Sequence, residues 1–262
     1  MNIATNTLKK LVAQWMRAWL PFTVVTKGGW LGFNVIQDAV DYCGARGGGL
    51  VLIGPGTYYE GVTISDDYVN IVGSGMGVTK IYGVGTHGVK IDGDYCSASS
   101  MTIDTEQGSG VIYTGHACIA NGNYGMFFRI LNNESEAQAF SCGSGGLPPV
   151  ISHCIIPAYA HDGYAVDTQS PKGIFTSNSL RSGGGYNFMI GGTADQTGVQ
   201  GNIIDGDGGT STIYGVVINT NAENCIVTGN WVGNFLGTDV WERSGTSLVL
   251  VPDGGGNLNE TV

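Results

Sequence analysis

The sequence has few charges, and most of them are acidic. Charged residues make up 12% of the 262 residues, against roughly 25% in an ordinary globular protein. Only 11 residues are Lys or Arg, the formal net charge is −10, and no basic cluster occurs. A chain of this kind lacks the electrostatic footprint of a nucleic-acid binder. An uncharged glycan, or a neutral or basic partner, suits such a surface better.

No stretch of 18 apolar residues occurs, so the sequence predicts no transmembrane helix. An apolar run follows Lys9 and Lys10, but Gln14 and Arg17 interrupt it. A signal peptide needs an apolar centre without such interruptions. We therefore expect a chain that is made without a signal.

Cysteine is too sparse for a disulfide-built scaffold, with six in 262 residues. None of the six stands in a Cys-x-x-Cys pair, which argues against zinc. The alternating carboxylates of Asp205-Gly206-Asp207-Gly208 suit calcium, but the further ligands of a calcium loop are missing. We expect buried thiols that pack as small apolar groups, no bound metal and no cofactor.

Glycine, in contrast, is abundant, at 45 residues, and 42% of the chain is hydrophobic. No Gly-X-Y period occurs, which excludes collagen. Short β-branched runs such as Val69–Gly73 and Val78–Tyr82 are separated by Gly, Asn or Asp. Runs so closely spaced leave no room for helices between strands. The pattern predicts an all-β fold with many turns.

Two helices are predicted before the strands begin. Residues 7–20 end at Pro21 and carry an apolar stripe at helical spacing, formed by Leu8, Leu11, Val12, Trp15 and Trp19. This helix either caps the open end of the fold or docks the chain into a larger assembly, with its tryptophans as anchors. A second helix begins at Asn34 as N-cap and ends at 47–49, with an apolar face of Ile36, Ala39, Val40 and Cys43.

A repeat runs through the rest of the chain. Similar tripeptides are centred on positions 102, 129, 154, 178, 202 and 230, with separations of 27, 25, 24, 24 and 28. A second series, Ala139, Gly163, Asn187 and Tyr214, has separations of 24, 24 and 27. Two series with one period indicate a coil of several strands per turn. We predict a right-handed parallel β-helix over 31–262, preceded by a helix and linker over 1–30.

Asn178, Asn202 and Asn230 occupy one position of this repeat. We interpret them as an asparagine ladder, in which side-chain amides bond from one turn of the coil to the next. A ligand-binding row is the alternative. Cys118 and Cys142 are separated by the same interval as Asn178 and Asn202, and they are expected to stack inside the coil in the same way.

Two segments resemble the opening of pectin-lyase-like parallel β-helix proteins. The first begins Gly32-Phe33-Asn34-Val35 and ends in the turn Pro55-Gly56-Thr57-Tyr58, and the second is Val69-Asn70-Ile71-Val72-Gly73-Ser74-Gly75. The superfamily includes pectate lyases, polygalacturonases, pectin methylesterases and bacteriophage tailspikes. The resemblance, which covers about residues 30–82, implies the fold and a long glycan-binding face. Tailspikes, which commonly associate as trimers, are the nearest in type.

The catalytic signatures of three of these families do not carry over. The chain has no polygalacturonase-like Gly-His-Gly and no Arg-x-Lys of the pectate-lyase kind. Glu60 follows a methylesterase-like Gly-Thr-Tyr-Tyr, but no Gln-Asp-Thr comes later, and Asp167-Thr168-Gln169 has a different order. The sequence leaves open whether the chain is an enzyme, and if it is one, a glycoside hydrolase or polysaccharide lyase is expected.

Polar side chains concentrate at one turn of four successive repeats. Because equivalent positions on adjacent turns lie ~4.8 Å apart, the row suits the carboxylate spacing of glycan hydrolysis. Two of four carboxylates are candidates for acid and base or nucleophile: Glu136, Asp162, Asp205 and Asp207. The candidate substrate-binding residues are Glu134, His161, Arg181 and Tyr186, with Tyr186 stacking against a sugar ring.

Each of these features has a plainer interpretation. The row is equally read as a solvated turn in which Arg181 and Asp205 form a surface ion pair. His153 is interpreted as a hydrogen-bonded structural residue. The segment 239–243 combines two carboxylates with a tryptophan, but its place at the last turn of the coil favours capping or a subunit contact as much as a site.

Three functions follow as hypotheses. The first is a tailspike-like, trimeric virion protein that binds a bacterial surface polysaccharide, with or without cleaving it, and contacts other virion proteins through the N-terminal helix. The second is a lyase or hydrolase outside the virion, secreted or cytoplasmic. The third is a structural assembly protein without a glycan site.

Overall fold

The computed structural model describes residues 22–28, 32–84, 87–105, 116–120, 124–131, 138–143, 148–156, 164–181, 186–206, 214–233, 240–243, 245–250 and 258–260. The helix predicted at 7–20 lies outside these ranges, whereas residues 22–28 of the predicted linker are described. The structure does not test the predicted domain boundary at residue 31.

One helix and 25 strands make up the described residues. The helix, α1, spans Ile36–Gly44. The strands are β1 (Phe22–Val25), β2 (Gly49–Ile53), β3 (Gly56–Tyr59), β4 (Val62–Ile64), β5 (Val69–Gly73), β6 (Thr79–Gly83), β7 (His87–Ile91), β8 (Ser97–Thr105), β9 (His116–Ala120), β10 (Met126–Leu131), β11 (Gln138–Cys142), β12 (Val150–Ser152), β13 (Ile155–Ile156), β14 (Tyr164–Thr168), β15 (Ile174–Thr176), β16 (Ser179–Arg181), β17 (Tyr186–Ile190), β18 (Gly198–Gln200), β19 (Ile203–Asp205), β20 (Tyr214–Ile218), β21 (Ile226–Thr228), β22 (Trp231–Gly233), β23 (Val240–Glu242), β24 (Leu248–Leu250) and β25 (Leu258–Glu260).

All these strands pair in parallel, in two sheets. Sheet A has 16 strands and sheet B has nine, in the order β25-β23-β20-β17-β14-β11-β9-β7-β4. Each strand bonds to the equivalent strand about one repeat earlier and one repeat later, so the chain forms a solenoid of about seven turns, here called rungs. The predicted parallel β-helix is confirmed.

The core lies between the two sheets. Along each strand, side chains that face the core alternate with side chains that face outward. In sheet A, Val51, Ile71 and Phe127 are buried, and in sheet B, Phe140 and Phe188 are buried. Aromatic side chains meet across the coil: the Phe127 and Phe140 ring centroids are 5.6 Å apart, edge to face. Burying one such ring contributes roughly 2–3 kcal/mol to stability. The buried side chains of the stacked rungs form one continuous hydrophobic core.

Sheet A bends at a column of residues in the left-handed backbone conformation. This left-handed corner has φ between 53° and 63° in six successive rungs and consists of Ser100, Arg129, His153, Ser177, Gly201 and Gly229. The strand register aligns them, since Phe128 faces Ser99 and Ser152 and the neighbouring strands continue the spacing. The sequence alignment was therefore wrong by one residue in two rungs: Arg129 is level with His153 rather than Cys154, and Thr102 is level with Leu131.

The predicted asparagine ladder is confirmed, and it lies directly after this corner. The Asn178 side-chain amide donates to Oδ1 of Asn202, and that of Asn202 donates to Oδ1 of Asn230, both at 2.9 Å. The same oxygens accept the backbone N–H groups of Asn178 and Asn202. All three side chains are buried, so the ladder satisfies polar groups that water does not reach.

The other sequence-based stacks need correction. Cys118 lies level with Phe140, and Cys142 lies level with Ala120 and Thr168, so the predicted cysteine stack is wrong. The reason is that the repeat in sheet B is shorter here than the interval between the two cysteines. The second series is also shifted, because Ala139 is level with Ala165. All six cysteines are free and buried, as expected.

The amino end of α1 is capped from a distance. The N-cap position is Val35, which provides no side-chain hydrogen bond, so the prediction of Asn34 as N-cap is wrong. The Glu60 carboxylate instead accepts from the backbone N–H groups of Ile36 and Gln37 at 3.0 and 3.1 Å. A negative charge at a helix amino terminus is favourable, so Glu60 ties α1 onto the first rung.

Candidate functional site

The outer side of sheet B presents one residue per rung in register. The part of this column from Lys90 to Trp241 is here called the sheet B face and consists of Lys90, Ile119, Ser141, Asp167, Met189, Val217 and Trp241. The register continues to Thr63 before Lys90 and to Asn259 after Trp241. Six of the seven residues are partly exposed, and their neighbours in each strand are mostly buried core residues, so the column points away from the core. Val217 is 1% exposed although it lies outside the core cluster. Six steps of ~4.8 Å give the face a length of roughly 29 Å. Its length suits several consecutive units of a linear polymer, with an interruption at the buried Val217 between Met189 and Trp241.

A carboxylate–amide pair lies at the middle of this face. The Gln169 side-chain amide donates to Oδ1 of Asp167 at 3.2 Å. Both residues are half-buried. The pair depends on Gly191, because a Cβ there would overlap the Gln169 side-chain amide. Gly191 therefore leaves the space in which Gln169 holds the Asp167 carboxylate.

An aromatic stack lies at one end of the face. The Tyr214 and Trp241 rings are stacked with centroids 4.7 Å apart and 21° between their planes. The Arg243 guanidinium lies 4.7 Å from the centroid of Trp241, close enough for a cation–π contact. Flat aromatic groups of this kind offer apolar area together with polar edges.

A cation–carboxylate pair lies at the other end. Lys90 Nζ is 2.7 Å from Asp92 Oδ2, and both side chains are about one-third exposed. The face thus presents charged groups at its start, a carboxylate with an amide at its middle and an aromatic stack at its end. This arrangement provides donors, acceptors and a stacking surface for a polar polymer.

The structure describes only part of the polar row predicted from the sequence. Glu134, Glu136, His161, Asp162 and Asp207 lie outside the described residues. Tyr186 begins β17, and the register places its backbone level with Tyr164 and Tyr214. The assignment of these residues to a site remains a prediction.

Arg181 and Asp205 are brought together in register on adjacent strands. Arg181 Nε lies 3.8 Å from Asp205 Oδ2, and the side chains are 47% and 26% exposed. Buried Asn187 donates to the Asp205 carbonyl oxygen at 3.1 Å, which joins the start of β17 to the end of β19. The pair fits the surface ion-pair interpretation, and such pairs contribute ~0–1 kcal/mol.

Sequence reasoning missed Asp167 and Trp241 as members of one surface column. Each was noticed within its own segment, but nothing local relates two residues so far apart in the chain. The usable signal is alternation, since Asp167 interrupts Val166 and Thr168, and Trp241 follows Val240. His153 is exposed and its ring packs edge-on against Phe128 at 5.2 Å.

Within the described ranges, no group of three His, Cys, Asp or Glu side chains is placed to hold a metal ion. No helix in the same ranges is long and apolar enough to cross a membrane.

No protein-family model matches the sequence, and no curated protein matches it. Solved structures do match the fold. The enzymatically active domain of tailspike protein 2 from bacteriophage CBA120 superposes with a TM-score of 0.61 at 12% identity, over 81% of this chain and 35% of that chain. The chain thus spans about a third of the tailspike polypeptide that it matches.

Two pectin methylesterases are also similar. The carrot enzyme has a TM-score of 0.54 at 15% identity, over 86% of this chain and 70% of that chain. The Aspergillus niger enzyme has a TM-score of 0.53 at 16% identity, over 89% of this chain and 81% of that chain. At these identities the likeness concerns the fold: the chain has the parallel β-helix architecture of tailspikes and pectin methylesterases.

Proposed function

We propose that the chain is the β-helix of a phage tailspike-like virion protein and that it binds a bacterial surface polysaccharide along the sheet B face. The observation that carries the proposal is the register of that face, in which Lys90, Asp167 and Trp241 lie on one straight column. A ligand that repeats along its length matches a surface that repeats along its length.

The chemistry of the face favours a glycan over other polymers. Trp241, whose ring stacks with Tyr214 and contacts Arg243, supplies an aromatic surface. Asp167 and Gln169 supply a carboxylate and an amide that suit sugar hydroxyl groups as acceptors and donors. The chain carries a net charge of −10, which disfavours a nucleic acid.

Cleavage of the bound glycan is the second candidate function. It is favoured by Asp205, which is held at the end of β19 by Asn187, at the edge of the coil from which the chain continues to Asp207. We propose that two of the four sequence-derived carboxylates act as acid and base or nucleophile: Glu136, Asp162, Asp205 and Asp207. Glu134, His161, Arg181 and Tyr186 are the proposed substrate-binding residues.

Assembly into the virion is proposed through a homotrimer and through the segment 7–20, whose tryptophans Trp15 and Trp19 share one predicted helix face. Trp15→Ala and Trp19→Ala variants test this by sedimentation and by incorporation into particles. A non-catalytic structural protein is the alternative function.

The decisive experiment measures binding of capsular and O-antigen polysaccharides from candidate hosts. Trp241→Ala is expected to weaken binding by about tenfold, through loss of the stack. Trp231→Ala is a matched control, because Trp231 is a 44% exposed tryptophan on sheet A. Absence of binding by the wild-type chain across the panel would favour the structural alternative.

The same mixtures report cleavage. New reducing ends indicate a hydrolase, and absorbance of an unsaturated sugar indicates a lyase. If either appears, the carboxylate-to-amide variants of two of the four candidates are expected to abolish it while leaving binding in place. Retained cleavage in all four carboxylate-to-amide variants would remove these residues from the mechanism.

A further inference from the structure

A second surface feature lies on sheet A, away from the sheet B face. It is an open cleft of about 220 Å³ lined by Gly73, Ser74, Gly75, Met76, Ser100 and Arg129. Ligand pockets for drug-sized molecules have volumes of roughly 300–1,000 Å³, so this cleft suits one small group or one sugar ring. We call it the Arg129 cleft.

The cleft is lined by hydrogen-bond donors without a partner among the described residues. Arg129 is exposed and forms no ion pair with any described residue. The Ser100 hydroxyl and the Met76 backbone N–H likewise have no hydrogen-bond partner among the described residues. The register places Arg129 directly opposite Ser100 on the adjacent rung, ~4.8 Å away at the backbone.

The wall of the cleft is held in place before any ligand arrives. The Gly75 N–H donates to the Ser100 carbonyl oxygen, and the Gly77 N–H donates to Thr102 Oγ1, each at 2.9 Å. The Ser74 hydroxyl donates to the Ile53 carbonyl oxygen at 2.9 Å. A loop fixed at three points loses little entropy on binding a ligand, which favours affinity.

Arg129 is part of the left-handed corner of sheet A. Its φ is 53°, in the left-handed region that disfavours a large side chain. Gly201 and Gly229 occupy the same corner position three and four rungs away, where glycine removes that cost. Ser100, His153 and Ser177 share this conformation, so it belongs to the corner as a whole and fixes where the Arg129 side chain leaves the backbone.

We propose that the Arg129 cleft binds an oxyanion, the carboxylate of an acidic sugar or a phosphate group. A guanidinium presents paired donors that match both groups, and Ser100 and Met76 complete a set of donors around one small volume. The site is separate from the sheet B face and does not depend on the function proposed for that face.

Calorimetric titration of the full chain with inorganic phosphate, glucuronate and glucose tests the proposal. Phosphate or glucuronate is expected to bind saturably and glucose is not. Arg129→Gln is expected to lower the affinity for the anion by at least about tenfold, the usual effect of losing a charged hydrogen bond. Arg129→Lys is expected to retain part of that affinity. Competition between phosphate and glucuronate separates a general oxyanion site from one selective for acidic sugars.

Lys172→Gln is the matched control. Lys172 is an exposed cation with φ of 60° at another corner, so the variant removes one charge from the same kind of backbone. Its anion affinity is expected to stay within twofold of wild type. Three outcomes would each overturn the proposal. They are the absence of saturable anion binding by wild type, an anion affinity of Arg129→Gln equal to that of wild type, and a loss of affinity in Lys172→Gln equal to that in Arg129→Gln. Trp241→Ala should leave anion binding unchanged, so this site and the polysaccharide site can fail independently.

Discussion

The Gln169 side-chain amide holds the Asp167 carboxylate at 3.2 Å because Gly191, on the next rung, has no Cβ. The three atoms nearest to a Cβ at Gly191 all belong to the Gln169 side chain, so Gly191→Ala would push that amide aside. We expect stability to change little and polysaccharide affinity to fall roughly threefold to tenfold, the effect of losing one hydrogen bond. Binding assays and urea denaturation measure the two effects.

Gly198→Ala is the matched control for that variant. The atom nearest to a Cβ at Gly198 is 3.9 Å away, on Gly173, so the new methyl group fits. Its polysaccharide affinity should equal that of wild type. An equal loss in both alanine variants would show that Gln169 does not position Asp167 for binding.

The asparagine ladder should be the polar feature on which stability depends most. Asn202→Leu leaves the amide groups of Asn178 without their acceptor and the Phe175 carbonyl oxygen without its donor. Each buried group left unpaired costs about 1–3 kcal/mol, so the free energy of unfolding should fall by roughly 3–5 kcal/mol. Gln200→Leu, at an exposed position two residues earlier, should change it by less than about 0.5 kcal/mol. Similar values for the two variants in urea denaturation would contradict the structural role of the ladder.

The cap supplied by Glu60 gives a smaller effect. Glu60→Ala removes the acceptor for the Ile36 and Gln37 N–H groups and should lower the free energy of unfolding by about 1–2 kcal/mol. Glu60→Gln keeps one acceptor, so its free energy of unfolding should lie between those of wild type and Glu60→Ala. Glu223→Ala, at an exposed carboxylate, serves as the control in the same denaturation series, and a loss equal to that of Glu60→Ala would argue against capping.

The buried thiols predict a stability that declines in alkali. Burial raises the pKa of Cys142 and of Cys154 to about 12, whereas an unfolded thiol ionises near pH 8.5. Between these values the unfolded chain releases protons that the folded chain retains, so the free energy of unfolding falls as pH rises. Below about pH 8 this stabilisation is complete.

Denaturation between pH 7 and 11 measures the decline. The slope should be shallower in Cys142→Ala and Cys154→Ala, whatever their absolute stabilities. Iodoacetamide at pH 8 should label these thiols only after unfolding, since a thiol must ionise to react. An unchanged slope in both variants would assign the decline to other groups.

The asparagine ladder was readable from the sequence because three rungs in sheet A repeat at nearly constant spacing with the same residue. The first rungs lack that residue, so Thr102 and Arg129 were aligned one position away from their true neighbours. Sheet B was harder, since its column from Val89 to Val240 passes through the unevenly spaced positions 118, 140, 166, 188 and 216. The Glu60 cap was missed because the capping group lies far beyond the start of the helix in the sequence.

The candidate site followed the same logic. The pairing of Arg181 with Asp205 was predictable because both follow the ladder residue by three positions. The link between Asp167 and Trp241 was not, because it depends on three intervening connections of unequal length. Local patterns predicted which residues face outward, and only the register predicted which of them share a column.

The interval from Asn178 to Asn202, which is one full repeat, has a consequence for how such a chain changes length. Deleting 178–201 would join Ser177 to Asn202 and remove β16, β17 and β18 together, leaving β15 to meet β21 and β14 to meet β20 in their present registers. A single in-frame deletion or duplication of this unit would shorten or extend the molecule by one whole step. Reach, measured along the coil, can therefore vary while the corner, the asparagine ladder and the parallel strand pairing continue across the join.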